Sequence, residues 1–344
     1  MTREELWRRN REYISRPVLD PLKIEAQFVD SGLRRTVTAG NIDITSGRVT
    51  VGDPLAYLGT GKLCPTAEVE IPDGSYPVQL AVSLTDVEGP RICTARLKIS
   101  RKRPVSYRLA EAVKGTEPFR TSDGNYCMIP VDAGMMAFAD AKTAEAYGEF
   151  LEGWHRENPE GNHYDDYFAP MFRESAEKQP EVQRAGGDFI SFTVPGTQHS
   201  LVMNAAGFGD GLYSLFVGID EEGQVCELTV PLIDPEDLEK ANDDYNALYP
   251  GYALCIATRH VADGGAIAYM CRNEPMEEFP DSGWRFYGYE EDDEYWDNSE
   301  NYTYLDIHTV AEMVPEVVPF LQSPVGSQFF GDESGNFVPI DEED

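Results

Sequence analysis

After Lys240 the chain contains no lysine, and from Gly251 onward only Arg259, Arg272 and Arg285 stand against 21 acidic residues. Across the 344 residues there are 28 Lys and Arg against 61 Asp and Glu, a formal charge of -33. Nucleic acid and anionic membranes are therefore not expected partners, because both present phosphates that Lys and Arg must neutralise. A cationic protein is the natural partner. The plain alternative is acidity kept for solubility alone. Close cysteine pairs are also missing. Cys64, Cys93, Cys127, Cys226, Cys255 and Cys271 are irregularly spaced, unlike zinc or thioredoxin-type motifs, and several fall inside apolar strand patterns. Buried, reduced thiols are expected. No stretch reaches the roughly 18 apolar residues of a membrane span, and the first residues lack an apolar signal region. A cytoplasmic location is the expectation. There is no phosphate loop, nucleophile elbow or His-Glu-x-x-His pattern, and Gly-Phe-Gly-Asp-Gly at 207–211 departs from the dinucleotide fingerprint. No cofactor and no metal is called for.

The chain is long enough for one large or two ordinary domains. Residues 1–39 read as an N-terminal helix and a lead-in strand. Thr2 and Glu5 form a capping-box pair, and Leu6, Trp7, Tyr13 and Ile14 repeat at helical spacing before Pro17. Residues 40–232 alternate with the two-residue period of strands at 48–51, 68–71, 77–82, 92–99, 188–194, 199–205, 212–218 and 224–230. Pro-Asp-Gly at 72–74 and Glu88-Gly-Pro90 supply turns. Helical patterns occupy 141–152 and 164–178, with Asp140 and Asp165 at their starts. Residues 233–251, ending in Tyr249-Pro-Gly251, read as an acidic linker. From 252 to 338 a smaller domain follows, with strands at 253–258 and 266–272 as a hairpin, another after Asp281-Ser-Gly283, one at 301–307, and short helices broken at Pro315. Residues 339–344 form an acidic tail. The fold class is α+β: a mainly antiparallel β N-terminal domain with a few helices, then a small α+β domain.

The most informative stretch is 281–296. Trp284, Phe286 and Gly288 alternate with Arg285, Tyr287 and Tyr289, so one face of a strand is packed and Trp284 is expected in the core. Glu290, Glu291, Asp292, Asp293 and Glu294 then form an acidic run that must lie in water, at a helix start or against a basic partner. With Tyr295 and Trp296 as anchors, the run is a candidate partner-binding surface.

Tyr-Met-Cys-Arg-Asn-Glu-Pro at 269–275, Asp-Ser-Gly-Trp-Arg-Phe at 281–286, the acidic run, Asn301, Pro315, Phe320-Leu321 and Gly-Ser-Gln-Phe at 326–329 resemble the immunity protein 33 family over about residues 253–338. The resemblance implies neutralisation of a bacterial protein toxin. A second set resembles the domain-of-unknown-function family 4241 over about residues 40–232: Arg48 to Leu55, Gly74 to Val78, Val131-Asp-Ala-Gly134 with Phe138-Ala-Asp140, Asp165 to Phe168, Pro195-Gly-Thr197 with His199, and Gly207 to Tyr213. That family brings no activity, so its chemistry must come from the residues.

Asp132, His199 and Asp210, with Asp166 and Asp220, offer carboxylate and imidazole groups beside glycine turns, a set that metal-dependent hydrolysis could use. The same residues are also ordinary turn formers, and His199 an ordinary strand residue. Between Arg91 and Arg108 seven basic residues occur with no acid. They form either an anion patch or a strand face that neutralises acidic neighbours; on so acidic a chain the second is preferred. The overall reading is a cytoplasmic binding protein that neutralises a basic protein toxin. A hydrolase using Asp132, His199 and Asp210, and an acidic adaptor without a toxin, are the alternatives.

Overall fold

A computed structural model of the chain describes residues 19–85, 89–118, 124–246, 253–276, 280–289, 291–332 and 336–340. The expected helix before Pro17, Glu88, Tyr249-Pro-Gly251, Glu290 and the last four residues of the tail lie outside them. The chain divides into two compact units, Met1–Glu239 and Lys240–Asp344.

The first unit is built from helix α1 (Pro21–Gln27), strands β1 (Arg34–Ile44), β2 (Val49–Gly52), β3 (Gly74–Thr85), β4 (Gly89–Lys98), β5 (Ser106–Leu109), β6 (Met128–Val131) and β7 (Met135–Asp140), helices α2 (Ala141–Glu157) and α3 (Ala169–Lys178), and strands β8 (Phe189–Thr193), β9 (Ser200–Ala205), β10 (Gly211–Ser214), β11 (Phe216–Ile219) and β12 (Val225–Pro231). They form a six-stranded sheet in the order β1-β3-β4-β12-β11-β5, a four-stranded sheet β2-β7-β9-β8, and the pair β10-β6, with every ladder antiparallel. One apolar core serves both larger sheets, including Ile42, Leu80, Phe138 and Leu228. Strand β1 approaches the four-stranded sheet at Gly40, where an added Cβ would lie 2.7 Å from the Ser191 Cβ.

Two local devices fix this unit. The buried Asp140 carboxylate caps α2 through the Lys142 amide (3.0 Å) and also accepts from the amides of Thr45 and Ser46 and the Ser46 hydroxyl. The turn after β2 presses on α2 so closely that a Cβ on Gly59, itself at φ +82, would meet the Gly148 Cα at 2.5 Å. A π-turn at Tyr164–Phe168 leads into α3.

Residues 68–71 are not a strand. Thr66 and Ala67 make only isolated bridges to Thr50 and Ala112, because Pro65 and Pro72 bound a segment too short to continue a ladder. The strand expected at 212–218 is two strands, with β10 paired to β6 and β11 to β12. The buried Leu215 between them exchanges backbone bonds with Cys127 and Ala110 as the chain changes sheets. All six cysteines are buried and free. Burial pushes the thiols of Cys64, Cys93 and Cys255 up to about 12. Among the described residues no helix is long and apolar enough to cross a membrane.

Helix α4 (Pro235–Asn246) begins within the segment read as a linker. Its Glu239 bonds Arg34 (2.8 Å to Nη2) and its Glu236 bonds Lys23 (3.0 Å), so its start belongs to the first unit. Limited proteolysis of the full chain is therefore expected to cut between Glu239 and Ala253 and to release two stable fragments. Loss of both halves together, with no persistent fragment, would refute the division.

The second unit contains β13 (Leu254–Thr258), α5 (Arg259–Ala262), β14 (Ile267–Arg272), β15 (Asp281–Gly288), α6 (Asp293–Trp296), β16 (Tyr302–Asp306), α7 (Ile307–Met313), a 3-10 turn at Pro315–Phe320, β17 (Gln328–Gly331) and β18 (Phe337–Pro339). The sheet order is β16-β13-β15-β14-β17-β18, with β13 parallel to β15 and the other pairs antiparallel. The hairpin expected between β13 and β14 is absent. Helix α5 follows β13, and β15 takes the place between β13 and β14. Asp281–Gly283 belong to that strand instead of forming a turn before it. Trp284 and Phe286 are fully buried with Ile307, Val310, Val317 and Leu321.

Candidate functional site

Alternation along β15 sends Arg285 and Tyr287 to the face opposite Trp284 and Phe286. Register then decides their neighbours. Ile256 of β13 stands opposite Arg285 on one side and Tyr304 on the other, while Thr258 stands opposite Tyr302. The result is a recess of about 550 Å³ whose lining includes Ile256, Asn273, Arg285, Tyr287, Trp296, Tyr302, Thr303 and Tyr304. Tyr287 lies edge-on to Trp296 (5.2 Å between centroids, 65°) and to Tyr302 (6.3 Å, 85°). Tyr304 is 57% exposed and Trp296 36%, large apolar areas for an edge strand and a one-turn helix.

The acidic run builds one wall of this recess. Asp292 starts α6, its carboxylate accepting the Tyr295 amide at 2.9 Å. Glu291 turns inward instead of into solvent. Its fully buried side chain accepts from Trp296 Nε1 (2.8 Å), and its other oxygen lies 3.2 Å from His260 Nδ1 without hydrogen-bond geometry. Gly288 makes room, since a Cβ there would meet that oxygen at 2.7 Å. His260 stacks on Tyr295 at 4.6 Å and 16°, and the Tyr302 hydroxyl donates to the Trp296 carbonyl. Trp296 is thus held by Glu291, and Tyr295 by the Asp292 cap and the His260 ring, while Asp292 and Glu294 are exposed. Glu290 lies outside the described residues, and for Asp293 only the backbone is described.

Electrostatics sharpen the picture. Arg285 holds Asp281 with both terminal nitrogens (2.9 and 2.7 Å). Burial pushes the Asp281 carboxyl up, but the Arg285 bonds and the amides of Met276 and Gly283 outweigh it, so the group ionises below its ordinary value. Burial, then Cys271 and Tyr302, pushes the Tyr287 hydroxyl up to about 12; Tyr302 is raised too, by burial and then Glu291. Both rings remain neutral phenols.

In the first unit the sheet brings Asp132 and Asp210 to one end. The Gly134 amide donates to Asp210 (2.9 Å), and the Tyr57 hydroxyl donates to Asp132. The buried Asp53 accepts from the amides of Asp132 and Ala133 (2.9 and 2.8 Å) and holds that turn. His199 lies at the other end. Pairing of Phe138 with Val202 and of Met135 with Ala205 separates it from Gly134 by the length of β7, about 20 Å at strand rise. Its ring instead sits 3.5 Å from Thr143 Oγ1 at the start of α2. Asp166 and Asp220 accept amides within their own turns. Among the described residues no group of three or more His, Cys, Asp and Glu is placed to hold a metal.

Sequence reading missed His260 and most of the recess. Tyr302 and Tyr304 carry the signal in their two-residue spacing, matching Arg285 and Tyr287, but only the order of strands shows that the two pairs meet.

Fold and surface together define a two-unit α+β protein whose second unit presents an aromatic recess beside exposed acids. Residues 42–230 match the family described as Protein of unknown function (DUF4241), more than half of the chain, and the chain belongs to that family. Residues 255–341 match the Immunity protein Imm33 domain. That domain points to a toxin-immunity role and implies binding of a protein toxin. No curated protein and no solved structure matches the chain.

Proposed function

We propose that the chain is a cytoplasmic immunity protein that neutralises a bacterial toxin with a basic surface, binding it through the acidic, aromatic surface around residues 291–296. The observation that supports this most is the fate of the second unit's arginines. Arg259 donates to the Glu300 carbonyl, Arg272 to the carbonyls of Ser282 and Ser323, and Arg285 to Asp281. Each has a bond within the unit, although Arg259 is itself exposed, while Asp292, Glu294, Asp297 and Glu300 stand exposed. Such a field attracts a cationic partner and speeds encounter, and partly covered aromatic side chains beside it lengthen the lifetime of the complex.

Co-expression of the full chain with its cognate toxin, sought among the genes that neighbour its own, is expected to restore growth. The triple variant Asp292→Ser, Glu294→Gln, Asp297→Asn keeps a capping side chain at 292. It is expected to lower the association rate about tenfold at low salt and to flatten its salt dependence, because these charges are screened over about 8 Å at physiological ionic strength. Failure to protect against that toxin would favour the adaptor reading. Unchanged association kinetics at low salt would remove the electrostatic account.

A further inference from the structure

We infer that the recess between Trp296 and Tyr304 receives an arginine side chain of the protein partner; this rests on the immunity reading for the partner's identity, but not for the chemistry of the recess. Four aromatic residues line it: Tyr287, Trp296, Tyr302 and Tyr304. The polar edges of two of them are committed. Trp296 Nε1 is bonded to Glu291 (2.8 Å), and the Tyr302 hydroxyl to the Trp296 carbonyl (3.0 Å). Ring faces are what these two residues retain for a ligand, and a ring face is the electron-rich part of an aromatic group.

The charge of the recess selects the occupant. Arg285 would repel a cation if it were free, but its terminal nitrogens bind Asp281, whose side chain is fully buried, and the Trp284 carbonyl. The pair at the floor is neutral. Around it lie Glu291, whose carboxylate backs the indole, and the exposed Asp297; both act electrostatically on Tyr302. An anion would enter against these carboxylates, and among the described residues that line the recess the one cation, Arg285, is already paired. An aliphatic side chain would leave the field unused. A planar guanidinium uses both features: it stacks on aromatic faces, carries charge at all relevant pH values and sheds water more readily than an ammonium. The recess, about 550 Å³, has room for the head group and part of its stem.

Isothermal titration of the full-length protein with nona-arginine and nona-lysine peptides tests this without a toxin. Nona-arginine is expected to bind more tightly than nona-lysine. Tyr304→Thr, at an exposed position where threonine preserves strand preference, is expected to weaken nona-arginine about fivefold and nona-lysine much less. Trp296→Leu is expected to weaken nona-arginine by about tenfold. Equal affinity for the two peptides, or nona-arginine binding unchanged by Tyr304→Thr, would overturn the assignment and leave only a diffuse acidic field. If arginine selectivity holds and protection in the co-expression experiment fails, the immunity reading falls alone. If protection occurs and survives both substitutions unweakened, the recess assignment falls alone.

Discussion

Replacing Trp284 with alanine is expected to destabilise the second unit by about 3–5 kcal/mol, the range found for truncation of large buried aromatic residues. The side chain is fully buried. Its ring lies nearly parallel to Phe286 at 6.0 Å and close to Phe329 at 6.2 Å, and its Nε1 donates to the Leu321 carbonyl at 3.1 Å. Alanine removes the indole from an interior strand of the sheet, from the core it shares with Val317 and from its bond to the Leu321 carbonyl. Since a domain's whole stability is about 5–15 kcal/mol, a loss of this size leaves much of the unit unfolded under mild denaturation. Trp284→Phe separates the contributions: it retains most of the apolar bulk and loses the donor, so a smaller loss is expected. Chemical denaturation of the full chain, followed by hydrogen exchange resolved between the two units, measures this. An unchanged midpoint for residues 253–340 would show that Trp284 does not hold the core.

The same strand shows how much of the molecule could be read in advance. The alternation from Trp284 to Gly288 gave the packed face because burial imposes a two-residue period that survives in the sequence. The α2 helix was legible for a similar reason: Asp140 is a local cap, and caps act within three residues. What failed depended on contacts distant in sequence. A hairpin between β13 and β14 is the natural guess from proximity, and nothing local reveals that β15 inserts between them in parallel with β13. The Glu68–Ile71 alternation looked like a strand, but a ladder also needs an unbroken partner. His199 and Asp210 share turn-like surroundings, yet the antiparallel ladder of β7 and β9 holds them at opposite ends. The acidic run was left to water, a helix start or a basic partner, and α6 does start within it, but the inward turn of Glu291 escaped notice because its burial depends on Gly288 and His260. Such pairing across elements has no periodic signature.

The largest charge effect is expected in the first unit, at Glu227. Part of the basic run from Arg91 to Arg108 is a neutralised strand face, Arg96 and Lys98 of β4, and in the loop that follows Lys102 pairs with Glu222 while Arg103 lies 3.8 Å from Glu25. At its centre the fully buried Glu227 accepts from Lys98 (2.7 Å), Arg96 (3.3 Å), the Tyr107 hydroxyl (2.6 Å) and the Thr229 hydroxyl (3.2 Å). Arg96 is itself almost fully buried, pairs with Glu25 and lies over the Phe28 ring at 3.6 Å. Burial, followed by Glu227, raises the Tyr107 hydroxyl far above its ordinary value, so this phenol acts only as a donor. Glu227→Ala removes the shared acceptor and leaves two cations in a dry site, so a loss of about 3–5 kcal/mol in the first unit is expected. Glu25 still faces Arg96, which places the result toward the lower end. The triple variant Glu227→Leu, Arg96→Met, Lys98→Met tests the cause. Replacing a buried ionic network by apolar groups of similar volume is often neutral, so recovery of most of the lost stability would trace the cost to the stranded charges. Denaturation of the first unit is the measurement, and a shift below about 1 kcal/mol for Glu227→Ala would mean that the network behaves like a solvent-exposed ion pair despite its burial.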